Sequence, residues 1–218
     1  MGTAPGMWLL IAPPAVAALL LAERLEHRRL RVVAKTLASV SFVAVGIARA
    51  GSGGVYGAWV VLALVLCALG DLALLHVKGL AGGLTLFLLG HVAFVLAFQS
   101  LRPAASWPLG WVVPIALASG GAIRWLWPHL GGLRWAVAGY VTVITLMVWG
   151  AVSVSSAALA WRPLAVGAAL FYVSDLFVAR DRFVARSFVN RAWGLPVYYA
   201  GQLILAWSAG GGFGGLAK

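Results

Sequence analysis

Eight apolar runs, each about as long as one bilayer crossing, follow one another along this chain of 218 residues with short breaks between them. They are residues 7–22, 32–50, 55–75, 80–98, 109–127, 135–153, 163–179 and 193–210. A helix needs about 20 apolar residues to cross the hydrocarbon core. In lipid every exposed backbone polar group must be bonded internally, so such runs are expected to be helices. Eight spans take ~160 residues, which leaves only connections and tails. The expected fold is therefore all-α: a polytopic membrane helix bundle of about eight transmembrane helices, forming a single domain over residues 1–218. With 63% apolar and 10% charged residues, the chain departs from soluble domains, which average roughly 45–50% and about 25%.

The breaks carry turn chemistry or charge: ERLEHRR before Leu30, GSGG at 51–54, HVKG at 76–79, QSLRPAASWP at 99–108, WPHLGGLR at 127–134 and RDRFVARSFVNR at 180–191. Pro13, Pro14 and Pro114 lie within the first and fifth runs, where they are expected to kink the helices without ending them. No base precedes residues 7–22 and a basic cluster follows them, the reverse of a signal peptide. They are expected to remain as a first helix.

The net charge of +11 raises nucleic acid as a partner. Yet the bases flank apolar runs and form no separate basic module, so they are read as orientation signals and no nucleic acid is expected. Arg24, Arg28, Arg29, Arg31, Lys78, Arg124, Arg134, Arg180, Arg182, Arg186 and Arg191 fall in alternate connections, against Arg49, Arg102, Arg162 and Lys218 on the opposite side. That bias predicts a multi-pass protein of the cell membrane with both termini outside the cytoplasm. Trp8, Trp59, Trp107, Trp111 and Trp161 then belong to the outer aromatic belt, and Trp125, Trp127, Trp135 and Trp193 to the inner one. Cys67, the single cysteine, lies in an apolar run and reads as packing, which excludes disulfides and thiolate metal sites.

Five residues are acidic. Glu23, Glu26 and Asp181 sit in basic connections, where solvated charge balance is expected. Asp71, in LVLCALGDLALL, and Asp175, in GAALFYVSDLFVA, lie inside apolar runs. A carboxylate at such depth costs roughly 2.5–3.5 kcal/mol and marks a functional site or a bond to a neighbouring helix. In the expected topology both helices run toward the cytoplasm. Each Asp stands about four residues from its end, ~6 Å from that interface at 1.5 Å per residue. Two acids at one level can divide their work, one protonated and one ionised.

Other polar residues fall near the same level. Lys35 opens the second run with Ser39 one turn further on, although a lysine there can also snorkel to the headgroups. Tyr140 lies near the inner end of the sixth run, and Tyr198, Tyr199 and Gln202 share one face of the eighth. His91 stands halfway along the fourth run on an aromatic face with Phe87, Phe94 and Phe98; a hydrogen-bonded core histidine is the alternative to a ligand. No second His or Cys accompanies it, so no metal site is expected. HExxH, GxSxG and Walker patterns are absent from the sequence, leaving metalloprotease, serine hydrolase and nucleotide-driven chemistry without support. GDLALLHVKG followed by GH, and SDLFVARDRF followed by GQ, form a faint internal echo.

In this order the segments resemble the YhhN-like lysoplasmalogenase family of integral membrane proteins. The resemblance rests on Lys35, on Gly70 and Asp71, and on the F-x-x-G-H stretch ending at Gly90 and His91. It continues through Tyr140 and Met147, Ser174 and Asp175 in GAALFYVSD, and Tyr198, Tyr199 and Gln202 in YYAGQLIL. It covers roughly residues 32–208, with Thr36 standing where members usually have Pro after the Lys.

The resemblance implies an ether hydrolase that cleaves the vinyl ether bond of lysoplasmalogens. The products are a fatty aldehyde and glycerophosphoethanolamine or glycerophosphocholine. It implies a lysophospholipid substrate, surrounding membrane lipids as partners, and no cofactor or metal. Asp71 and Asp175 would then be catalytic, sharing acid and base roles in an order the sequence leaves open. Lys35, with Arg186 or Arg191, would hold the phosphate, and Tyr198, Tyr199 and Gln202 would order water. Ser39, Tyr140 and Ser174 complete the expected substrate-binding set, with the alkenyl chain inside the apolar bundle along His91 and its aromatic face. The alternative is a small proton-coupled membrane transporter with the Asp pair as relay; a third reading is a non-catalytic lipid-binding protein. A homo-oligomer is compatible with the sequence.

Overall fold

Each apolar run closes its own backbone hydrogen bonds as one helix. A computed structural model describes residues 5–76 and 79–213. Among them lie α1 (Pro5–Arg24), α2 (Arg28–Ala50), α3 (Gly54–Ala73), α4 (Leu80–Leu101), α5 (Val112–Leu126), α6 (Arg134–Ala157), α7 (Arg162–Ala179) and α8 (Phe188–Ser208). Lys78 and Lys218, counted above as orientation charges, lie outside the described residues.

Helix ends follow capping chemistry more closely than apolar content. His27 accepts the Leu30 N–H at 3.2 Å, so α2 begins at Arg28 and takes in the basic cluster. Ser187 caps α8 by accepting the Val189 N–H, five residues before the apolar run starts. Asp181 in turn accepts the Ser187 N–H and the Asn190 side-chain amide, so it fixes this turn instead of acting as a solvated counter-charge. Pro114 occupies the first turn of α5, where a missing N–H has no partner to lose; the expected kink has no cause there. Pro13 and Pro14 lie within α1, and Pro196 within α8.

Among the described residues, seven helical segments are long and apolar enough to cross a membrane by length and composition. The eighth helix, α8, has the length of a span at 21 residues but a more polar sequence. It carries Asn190, Arg191, Tyr198, Tyr199 and Gln202, of which all but Arg191 are buried, turned toward α1, α2, α3 and α7. The chain is a multi-pass helical membrane protein. Trp107 departs from the aromatic belt: it is buried, its indole N–H donates to the Arg102 carbonyl, and its ring meets Trp149.

The most extensive helix contacts are α3 with α4, α7 with α8 and α1 with α2. Small residues make such approach possible where lipid offers no hydrophobic drive. A Cβ on Gly90 would lie 2.7 Å from the Cys67 sulfur on α3, and one on Gly201 2.9 Å from the Gly167 carbonyl on α7. The two glycines are the ones that precede His91 and Gln202 in the internal echo. α5 packs chiefly on α6 and stays mostly exposed.

Candidate active site

Lys35 and Ser39, one turn apart, face α3 and α8 together. The Lys35 Nζ lies 3.1 Å from Oδ1 of Asp71. Ser39 donates to Oδ2 at 2.8 Å, and the Tyr198 hydroxyl donates to the same oxygen at 2.9 Å. The Ser39 and Tyr199 hydroxyl oxygens are 3.3 Å apart. Asp71 is 2% exposed. A cation on one oxygen and two hydroxyl donors on the other suit an ionised carboxylate, which can only accept. Lys35 is committed to this ion pair and does not snorkel.

A second group joins α4, α6 and α7. His91 Nε2 lies 3.3 Å from Asp175 Oδ2, and the Tyr140 hydroxyl donates to that oxygen at 3.3 Å. His91 Nδ1 is 2.7 Å from the Phe87 carbonyl. A carbonyl only accepts, so Nδ1 carries a hydrogen. Nε2 has no other partner, and a bare lone pair facing a carboxylate would repel it. The contact is therefore favourable with one proton between ring and carboxyl, whichever holds it. Burial of the imidazole is complete, whereas the Asp175 side chain is 17% exposed.

The two carboxyl groups share no bond. Phe171, one turn before Asp175, stacks on His91 with centroids 4.2 Å apart, and its ring lies 5.6 Å from that of Tyr198. Instead of a repelling pair, the structure has two neighbouring centres, each with its own partners. Asp71 sits in the last turn of α3, which ends at Ala73, whereas α7 runs four residues past Asp175 and continues as a π-turn over Arg180–Val184. α3 stops early because the chain returns tightly: a Cβ on Gly79 would lie 1.9 Å from the Ala73 carbonyl.

Between the centres, the Cys67 thiol on α3 is buried within electrostatic reach of both carboxyls and beside Gln202. Apart from that thiol, neither polar atom of the fully buried Gln202 amide has a partner. Buried polar atoms without partners carry a desolvation cost, so the Gln202 amide is the group here with hydrogen-bonding capacity to spare for a ligand. Cys67 was read above as packing alone.

Other residues named from sequence lie elsewhere. The Ser174 hydroxyl donates to the Phe171 carbonyl of its own helix at 2.7 Å. Arg191 donates to Glu23 at 2.7 Å, and Arg31 Nε lies 3.0 Å from the other Glu23 oxygen. Glu23 is thus a bridge between α1, α2 and α8, which corrects its reading as solvated charge. Arg186 is exposed in the α7–α8 connection. One signal could have found the bridge: Arg31, Lys35 and Ser39 recur every four residues, a single stripe on α2.

A model of the YhhN family matches residues 30–209. The Bos taurus protein named "Lysoplasmalogenase TMEM86A" is 35% identical over 133 residues, 58% of this chain and 54% of that protein. The Mycobacterium tuberculosis protein named "Lysoplasmalogenase" is 34% identical over 153 residues, 65% of this chain and 55% of that one. In Rattus norvegicus, "Lysoplasmalogenase TMEM86B" is 31% identical over 161 residues, 72% and 64%. The chain spans about half the length of the first of these relatives. No solved structure matches.

Proposed function

The chain belongs to the YhhN family, and from that premise we propose that it is a lysoplasmalogenase-type ether hydrolase. Its substrate is a lysophospholipid whose one chain is joined to glycerol through a vinyl ether. The observation that carries the reading is the different partnering of two carboxyls: Asp71 meets an ammonium and two hydroxyl donors, while Asp175 meets a histidine nitrogen and a tyrosine hydroxyl.

Cleavage needs both an acid and a base. A proton added to the β-carbon of the double bond turns the ether into an oxocarbenium ion. Water bonds to the cationic carbon and loses a proton. The resulting hemiacetal breaks its carbon–oxygen bond, giving a fatty aldehyde and the free glycerol hydroxyl. The proton held between Asp175 and His91 serves the first step. Asp71 serves the second, its charge offsetting the cation and its oxygen taking the proton from water. Acid–base steps of this kind contribute about 10²–10⁴-fold.

In this reading the reacting bond lies beside Gln202, whose unpartnered amide holds the attacking water. Lys35 and Arg191 are engaged by carboxylates. The phosphate contact therefore passes to the exposed Arg186, beside the cytoplasmic leaflet in the proposed topology.

The test uses purified protein in lipid nanodiscs given a lysoplasmalogen, with aldehyde release measured. An alkyl-ether lysolipid, which lacks the double bond, serves as the control. Release from the vinyl ether alone is expected. No aldehyde from folded protein would overturn the assignment and turn attention to proton-coupled transport.

A further inference from the structure

A furrow of about 260 Å³ runs along the outside of the bundle between α2 and α3. Ser39, Val43, Ala44 and Ile47 line it from α2, with Ala68 and Leu72 from α3. Ser39 joins it to the site: its hydroxyl bonds Asp71 on the inner side. The other lining hydroxyl, Thr36, is spent on the Val32 carbonyl of its own helix. The furrow is thus apolar along its length, with the buried Ser39 at the end that adjoins the site. From Ser39 to Ile47, eight residues at 1.5 Å each span about 12 Å.

The order of side chains along α2 matches the order of groups in a single-chain phospholipid. Arg28, Arg29 and Arg31 come first, then Lys35 and Ser39, then Val43, Ala44 and Ile47. The interior beside His91 offers the chain no comparable path. Phe94, Phe98 and Phe171 are fully buried there, with Phe94 centroids 6.2 Å from Phe98 and 6.3 Å from Phe171. We propose that the α2–α3 furrow seats the single aliphatic chain of the lipid substrate. The substrate is taken sideways from the bilayer, and its polar end turns inward at Ser39. This rests on the hydrolase reading above and moves the chain from the bundle interior to its outer face.

A chain passing from bilayer hydrocarbon into the furrow exchanges one apolar surrounding for another, so it gains little affinity. What the furrow contributes is position, which holds the bond next to the chain at the inward opening. Ala44 and Ala68 leave the space that a methylene chain fills. Leucine at either place closes the furrow from its lipid side.

The experiment uses the full chain in nanodiscs and an alkyl-ether lysophospholipid bearing a diazirine midway along its chain. Photolabel is expected on α2 and α3 peptides around Val43, Ala44 and Ala68, and to be lost in Ala44→Leu and Ala68→Leu. In those variants kcat/KM for aldehyde release should fall about tenfold, the size of one misfit side chain. Ala118→Leu, on the exposed face of α5, is the control and should behave as wild type. Label spread evenly over lipid-facing helices, or found on Phe94 and Phe98, overturns the proposal, as does full activity in both furrow variants. Wild type that releases no aldehyde yet takes label at the furrow would sink the hydrolase reading and leave the chain site standing.

Discussion

The Lys35 ammonium and the Asp71 carboxylate meet at 3.1 Å across the seam between the start of α2 and the last turn of α3. Both are largely removed from solvent, with side chains 12% and 3% exposed. The ammonium sits on one carboxylate oxygen while Ser39 and Tyr198 donate to the other. Breaking such a pair strands one charge, at a cost of about 3–5 kcal/mol. Lys35→Met should therefore lower the melting temperature in detergent, and adding Asp71→Asn should restore much of it. Neither protein should release aldehyde. A single variant with normal stability would show that the pair is not formed.

Asp71→Asn and Asp175→Asn should each reduce aldehyde release by about 10²–10⁴-fold while leaving helix content intact. The two differ in the step they slow. With Asp175 gone, proton transfer to carbon becomes limiting, so the rate should drop further in D₂O than it does for Asp71→Asn. Undiminished release from both variants would remove them from the mechanism.

His91→Phe keeps a ring against Phe171 but removes both nitrogens. The lost bond to the Phe87 carbonyl is worth about 1 kcal/mol, so the fold should survive. Activity should fall toward that of Asp175→Asn, and combining the two substitutions should add little, because they share one proton. Independent, additive losses would argue that His91 acts elsewhere.

Glu23→Gln leaves Arg31 and Arg191 facing each other without the anion between them. The guanidiniums are about a quarter exposed, so solvent softens the repulsion and the loss should be about 1–3 kcal/mol. Thermal unfolding should show partial recovery on adding Arg191→Gln. No recovery would place the loss in packing instead of charge.

A reporter active only outside the cytoplasm, fused after Lys218, should be active, following the bias of basic residues toward alternate connections. A cytoplasmic signal would reverse the leaflet from which the substrate is drawn.

The helices were legible from the sequence, because span length and the demand that each backbone group be bonded inside its own segment are local constraints. Their ends were less so. α8 starts where Ser187 and Asp181 cap it, and α3 stops where Gly79 folds back, neither of which hydropathy registers. The two acids stood out by their cost in an apolar run, and Lys35 with Ser39 one turn on was visible as spacing.

What each acid meets was a matter for the tertiary structure. That Asp71 takes Lys35 and Asp175 takes His91, with Phe171 between, depends on how far each helix is rotated about its axis and which distant helices touch. Those choices rest on backbone approach at Gly90 and Gly201 and on ring packing in the core. Such contacts join residues tens of positions apart, and no period along the chain records them. By itself the sequence determined that two carboxyls would lie within membrane helices. Only the packing decided that one meets Lys35, Ser39 and Tyr198 and the other His91 and Tyr140.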